Sequence, residues 1–394
     1  MVRVAVIGLG GLGSAAAYWL TRRGAEVVGF EQFELGHVRG ASHDHSRIIR
    51  RSYHTAHYVR LTADAYRAWR EVEADSGEPV ITTTGGLDLF PAGATIDDAT
   101  YRDSLAAEGV AFDWIDGAEV RRRWPVFAGP LLADDVMAIW SAETGIVAPA
   151  RSTALLQRLA RGRGAELREH APVRELRPVG ETAGPAGEVD VVTETGTERF
   201  DAVVVAADAW VNRLLEPLGC SVPLAVTREQ VSYFPHVDLD RFGVGRLPVW
   251  IWMHDPSYYG FPVHGPLAAV KGSEDCGGPL VDPDTRTFDP DPGMQARLAS
   301  FMEGMFGPGF GAPASTTCLY TLTSDRDFVV DRLPGHPSIS VALGAAHGFK
   351  FASWFGQRLA GLALGDPDPN GDLTPFSFAR PGLHAPIDRS SWMV

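Results

Sequence analysis

The stretch VRVAVIGLGGLGSAAAYWLTRRG, residues 2–24, constrains the fold more than any other. A β-branched apolar run, then G-x-G-x-x-G, then a helix-forming run closed by glycine, spells strand, tight turn and helix. Gly8 permits the turn, Gly10 lets the backbone approach a pyrophosphate, and Gly13 lets the helix lie close on the strand, with Gly11 and Leu12 completing the turn. The helix N-terminus then aims its unpaired N–H groups at phosphate. A second apolar run, AEVVGFE, ends in Glu31, eighteen positions beyond Gly13. A carboxylate there hydrogen-bonds an adenosine ribose and disfavours the extra phosphate of NADP. This order predicts a dinucleotide site in an α/β fold with a Rossmann-type sheet, and the motif leaves NAD and FAD both open.

At 394 residues the chain exceeds what one hydrophobic core usually spans, so two domains are expected. RFDAVVVAADAW and SISVALGAAHGFKFASWFGQRLAGLAL each start as a buried strand running into a small-residue turn. They suggest a nucleotide domain interrupted by insertions and closed by both chain ends, built from residues 1–80, 141–215 and 317–394. Between them, ITTTGGLDLF and the run from VTREQVSYFPH to YYGFPVHG alternate apolar with polar and carry aromatics, as antiparallel strands do. Residues 81–140 and 216–316 are therefore expected to form a sheet-rich substrate domain, with the site at the interface of the two.

The formal net charge of −14 argues against nucleic acid and against adhesion to a membrane through a basic face. Three cysteines, Cys220, Cys276 and Cys318, are an odd number without a spacing pattern, which argues against a disulfide framework and for a reducing compartment. No metal site is read from them, and His43 and His45 lack further ligands. The opening apolar run is too short and too interrupted for a membrane span, and its glycines fall where a strand turns into a helix. A cytoplasmic protein is expected. Taken alone, each cysteine reads as a small buried hydrophobe.

GASHDHSRIIRRSY, YYGFP, VKG, TTCLYTLTSDRDFVVDRLPGH and HGFKFAS follow one another in the order seen in one family. The chain resembles the monomeric sarcosine oxidase and N-methyltryptophan oxidase family, from its first strand to DLTPFSFARPGL. The resemblance implies a monomeric, two-domain flavoprotein of the D-amino acid oxidase type, with FAD attached through a cysteine thioether at the flavin 8-methyl carbon. Cys318 matches that cysteine. It further implies Ser42, His43 and Arg47 along the flavin, and Val173, Trp210, Ala346, Gly348 and Phe349 among the other cofactor contacts. His347 and Lys350 fall on the strand-to-helix turn GAAHGFK, which in this family meets the flavin edge where negative charge develops.

By the same resemblance Lys350 and Arg50 grip the substrate carboxylate, for which the planar guanidinium is suited. Lys271 then lies near flavin N5, stabilising the anion formed when O2 takes its first electron. Tyr259 and Tyr320 line the substrate pocket, with Tyr258 beside them. Without the resemblance, these lysines read as solvated and the tyrosines as core. The implied activity is oxidation of a small secondary or cyclic amino acid to an imine by hydride transfer to the flavin, with O2 reduced to H2O2.

Two positions depart from the sarcosine oxidase pattern. Ala346 replaces a glycine, adding a methyl beside the flavin. Asp275, four positions beyond Lys271, replaces a histidine, as in the piperideine carboxylate oxidase branch. A carboxylate there can pair with the substrate nitrogen or take its proton. Trp354 reads either as packing or as a ring stacked on a cyclic substrate, and Trp250 and Trp252 as reshaping the pocket wall. A cyclic or aromatic amino acid is thus as well supported as sarcosine. The competing readings are a flavin dehydrogenase that passes electrons to a quinone or a protein, and a flavin-binding protein without turnover.

Overall fold

The computed structural model describes residues 1–180, 187–368 and 371–388. One half is a six-stranded sheet in the order Val329–Leu333, His336–Leu343, Ala202–Val205, Arg3–Ile7, Glu26–Phe30, Glu166–Arg168. From His336–Leu343 onward every pairing is parallel. Parallel sheets are covered on both faces, so their strands are apolar throughout; Val4, Val6, Val203 and Val205 are fully buried.

Two turns far apart in sequence meet at the end of this sheet. Gly8 adopts a left-handed φ of +86°, and a Cβ on Gly13 would lie 1.8 Å from the Gly8 carbonyl oxygen, so the first turn tolerates no side chain at Gly13. Helices Gly11–Arg22 and Ala352–Ala363 pack through small residues, and a Cβ on Gly356 would come within 2.6 Å of the Ala15 backbone. That close approach brings the GAAHGFK turn beside the glycine turn. A Cβ on Gly11 would fall 2.6 Å from the Phe349 ring.

The other half is an eight-stranded sheet in the order Ala314–Leu322, Ala225–Phe234, Val270–Glu274, Tyr258–Phe261, Val249–Trp252, Gly86–Phe90, Met137–Ser141, Asp113–Asp116. Side chains alternate between its faces. Trp250, Trp252 and Tyr258 pack on Phe301 of helix Pro292–Phe306, while Ile251 and Tyr259 line the cleft between the halves. A small sheet of Arg47–Ile49, Gly145–Val147 and Ile81–Thr83 carries Arg47 to that cleft.

The expected boundary at residue 317 cuts strand Ala314–Leu322. That strand pairs antiparallel with Ala225–Phe234, setting Cys318 opposite Glu229, so its hydrogen bonds place it in the sheet-rich half. The boundary at 141 likewise falls on the last residue of Met137–Ser141, a strand of the same sheet. Residues 389–394 of the expected nucleotide segment lie outside the described residues. Among the described residues no helix is long and apolar enough to cross a membrane.

Candidate active site

A cleft with two chambers runs from between the halves into the six-stranded half. Gly10, Ser42, Ala206 and Asp208 line both chambers and join them at the glycine turn. Glu31, Val173 and Trp210 line the outer chamber. The Glu31 carboxylate accepts from the amides of Leu9 (2.8 Å) and Phe33 (3.1 Å), and Ser42 Oγ accepts from the Gly11 amide at 2.8 Å. Burial pushes the Glu31 pKa up, but the His37 ring and the Leu9 amide outweigh it and hold the pKa below the usual range. An acid-ended outer chamber, a glycine-rich turn and an inner chamber of aromatic and cationic residues fit a dinucleotide whose second ring system lies inward.

The inner chamber is walled by Arg50, Tyr259, Asp275, Tyr320, Arg326 and Lys350, with Leu12, Arg47, Ala346, His347, Gly348 and Phe349 at its nucleotide end. Lys350 donates to Tyr53 Oη at 2.9 Å and to the His347 carbonyl at 3.0 Å. Burial drives its pKa well down, and Arg50 and Arg326 repel its charge further. Arg50 donates to Asp88 Oδ1 at 2.9 Å, and Arg326 to Asp275 Oδ2 at 2.9 Å. The Tyr259 and Tyr320 hydroxyls lie 3.3 Å apart. His347, half-buried, sits between Tyr53 Oη and the Arg326 carbonyl, and desolvation lowers its pKa well below the ordinary value, so the ring is neutral.

A second cationic corner lies behind this wall. Lys271 donates to Asp44 Oδ2 at 2.7 Å, to the Ser46 carbonyl at 2.8 Å and to Ser46 Oγ at 3.0 Å. Burial lowers its pKa to about 8 against the opposing pull of Asp44. Arg47 and Tyr233 also donate to Asp44. Burial raises the Asp44 pKa, but Lys271 and Arg47 outweigh it and hold the carboxylate well below its usual range. Cys318 lies in this electrostatic neighbourhood: burial raises its pKa and outweighs the lowering by Arg47, so the unmodified thiol is protonated rather than activated. Opposite it, Glu229 accepts from Thr227 Oγ1 and the Gly278 amide, and burial raises its pKa to about 7. His43 is buried with Nε2 unpartnered among the described residues, and burial brings its pKa down to about 4.

The structure thus brings the Lys350, Arg50, Tyr259, Tyr320, Asp275, His347 and Gly11 positions to one chamber, and Gly8, Glu31, Val173 and Trp210 to the other, with Gly10 and Ser42 lining both. Lys271, Cys318 and His43 are buried but stand behind the lining residues. Gly13 supports the turn from below. Trp354 does not reach the chamber: it is fully buried against Phe355 and Phe376, on a helix that is apolar on nearly every side. Trp250 and Trp252 are turned to the other face of their sheet by strand alternation. Sequence reasoning passed over Arg326, Asp88, Asp44 and Asp208. A charge inside the buried strand GLDLF was a signal for Asp88, and an acid at a left-handed turn (φ +46°) after VVVAA for Asp208. Arg326 and Asp44 carried none.

A family model for FAD dependent oxidoreductases matches residues 3–362. The monomeric sarcosine oxidase of Streptomyces avermitilis is 35% identical over 92% of this chain and 93% of its own length. The N-methyl-L-tryptophan oxidase of Yersinia pestis is 30% identical over 95% and 98%. Among solved structures, the open form of NikD, described as an unusual amino acid oxidase essential for nikkomycin biosynthesis, superposes with a TM-score of 0.82 at 25% identity, covering 95% of this chain and 97% of that one. With near full-length matches on a cleft built for a dinucleotide, the chain belongs to the FAD dependent oxidoreductase family, alongside the monomeric sarcosine and N-methyl-L-tryptophan oxidases.

Proposed function

We propose that the chain is an FAD-dependent oxidase of secondary or cyclic amino acids, giving an imine and H2O2. The observation that carries this is Lys350: a buried lysine on the chamber wall that meets a phenol and a carbonyl and, among the described residues, forms no ion pair, with burial, Arg50 and Arg326 opposing its charge. To carry its proton there, the amine calls for an anionic ligand, and a substrate carboxylate supplies one. The flavin, when bound, supplies a two-electron acceptor for the hydrogen on the carbon beside the nitrogen.

The chain's residues do the rest. Lys350 and Arg50 hold the carboxylate, and Tyr259 and Tyr320, hydrogen-bonded to each other, wall off water. Asp275, oriented by Arg326, accepts a hydrogen bond or a proton from the substrate nitrogen. Cys318 is read as the thioether tether of the FAD, with Arg47 stabilising the thiolate as it forms. Domain membership follows the two sheets, and the protein is read as a cytoplasmic monomer acting on a small amino acid and O2.

Anaerobic mixing with sarcosine, N-methyltryptophan, proline, pipecolate and dehydropipecolate tests this. At least one must bleach the flavin, and admitting air must then release peroxide. Acid precipitation tests the tether, which requires the yellow colour to stay in the pellet. A second reading, a dehydrogenase that hands electrons to a quinone or protein, draws on one observation: Asp44 already balances the charge of Lys271. Slow peroxide formation after fast bleaching would select it.

A further inference from the structure

We propose that Arg326 reads a second acidic group on the substrate, so that the preferred substrates are secondary amino acids bearing another carboxylate. This rests on the oxidase reading above and narrows it. Arg326 lies on the TSDRDF turn with φ +58°, lines the inner chamber and is 4% exposed. Among the described residues only Nη2 reaches a carboxylate, Asp275, and Nε and Nη1 are buried without hydrogen-bond partners. Buried guanidinium N–H groups without acceptors are costly, and a ligand oxygen reached by a small side-chain shift removes that cost.

Charge points the same way. Around this end of the chamber stand the guanidinium groups of Arg50 and Arg326, the Lys350 amine and two carboxylates, Asp88 and Asp275, so that one positive charge is left over once Lys350 takes a proton to bind the substrate carboxylate. His347 is neutral, and Glu229 is bonded to Thr227 and Gly278 rather than to a cation. A zwitterionic amino acid with a neutral side chain leaves that charge unopposed. A dicarboxylic amino acid with a protonated amine carries one net negative charge and closes it. Its first carboxylate goes to Lys350 and Arg50, its second to Arg326, for which a guanidinium is the stronger partner.

The test compares anaerobic flavin reduction by N-methyl-L-aspartate and N-methyl-L-glutamate with that by N-methyl-L-alanine and sarcosine. One acidic substrate is expected to exceed both neutral ones in kcat/KM by at least about tenfold, the scale of one charge-assisted hydrogen bond. In Arg326→Gln the ratio is expected to fall to within about threefold, the change carried by KM, with Arg326→Lys recovering part of it. Neutral substrates equal to or better than acidic ones in the wild type, or an unchanged ratio in Arg326→Gln, overturns the proposal. If Arg326→Gln does not fold, competition in the wild type decides: glutarate must inhibit at least about tenfold more tightly than butyrate, and equal inhibition overturns it. If no amino acid bleaches the flavin, the oxidase reading falls, and this one with it.

Discussion

Lys271 and Lys350 are both buried, 2% and 9% exposed, and both donate to protein oxygens, yet their surroundings differ in kind. Lys271 faces the Asp44 carboxylate at 2.7 Å with two Ser46 oxygens behind it. Lys350 faces a phenol and a peptide carbonyl, and the nearest formal charges acting on it are mostly repulsive. The first corner is electrically complete without a ligand; the second is not. A buried charge is costly unless something completes it, so on the proposed reading the difference separates the group that binds substrate from the group that acts later.

The largest expected effect breaks the comparison at its incomplete corner. Lys350→Met should lower kcat/KM for anaerobic flavin reduction by about 10²–10³-fold, the cost of removing a charged partner from a buried pair. A loss below about threefold would mean that the carboxylate is held elsewhere. Lys271→Met should instead slow reoxidation by about 10²-fold, the scale of one preorganised electrostatic donor. Double-mixing stopped-flow measures the two half-reactions separately, and equal lesions in both variants would erase the distinction drawn here.

The next effect sharpens it through pH. The unfolded chain keeps Lys271 protonated up to about pH 10.4, whereas the folded protein releases that proton near pH 8. Between about pH 8 and 10.4 the unfolded state therefore binds more protons, and stability rises with pH across that window. Thermal melts should show the rise in the wild type and a flatter profile in Lys271→Met. Lys350, also depressed, gives the opposite sign for ligand binding: a carboxylate requires its protonated form, so affinity falls as pH rises through its lowered pKa. Titration calorimetry in buffers of different ionisation enthalpy should show proton uptake on binding above that pKa.

The smallest effect concerns the turn beside Lys350. Ala345 and Ala346 hold left-handed φ values of +43° and +69°, which cost an alanine about 1–2 kcal/mol each relative to glycine. Ala346→Gly relieves part of that strain but adds freedom to the unfolded chain. A rise in Tm of about 1–2 °C is expected, and a clear fall would show that the methyl packs usefully.

The comparison also shows what a sequence can carry. Gly8 to Gly13 and Glu31 were legible because the chemistry of a dinucleotide turn is local: one strand, one turn and one helix present it within about thirty residues. The chamber residues were legible through resemblance, since Arg50, Tyr259, Asp275, Tyr320 and Lys350 come from five separate segments. The pairings were not. Asp44 and Lys271 are 227 positions apart, and Asp275 and Arg326 are 51 apart, so no periodicity or spacing joins them. Trp354 showed the same limit from the other side, for a tryptophan on a helix near a turn looks alike whether it faces a ligand or a core.

The strand that carries Cys318 belongs to the sheet-rich half, while the glycine turn and Glu31 belong to the other. If the proposed tether forms, a cofactor clasped by the turn and bonded to that sulfur would be a rivet through both halves. Pulling the halves apart would mean breaking a carbon–sulfur bond or stripping the nucleotide from its cradle, so mechanical and proteolytic opening of the molecule should become a single concerted event.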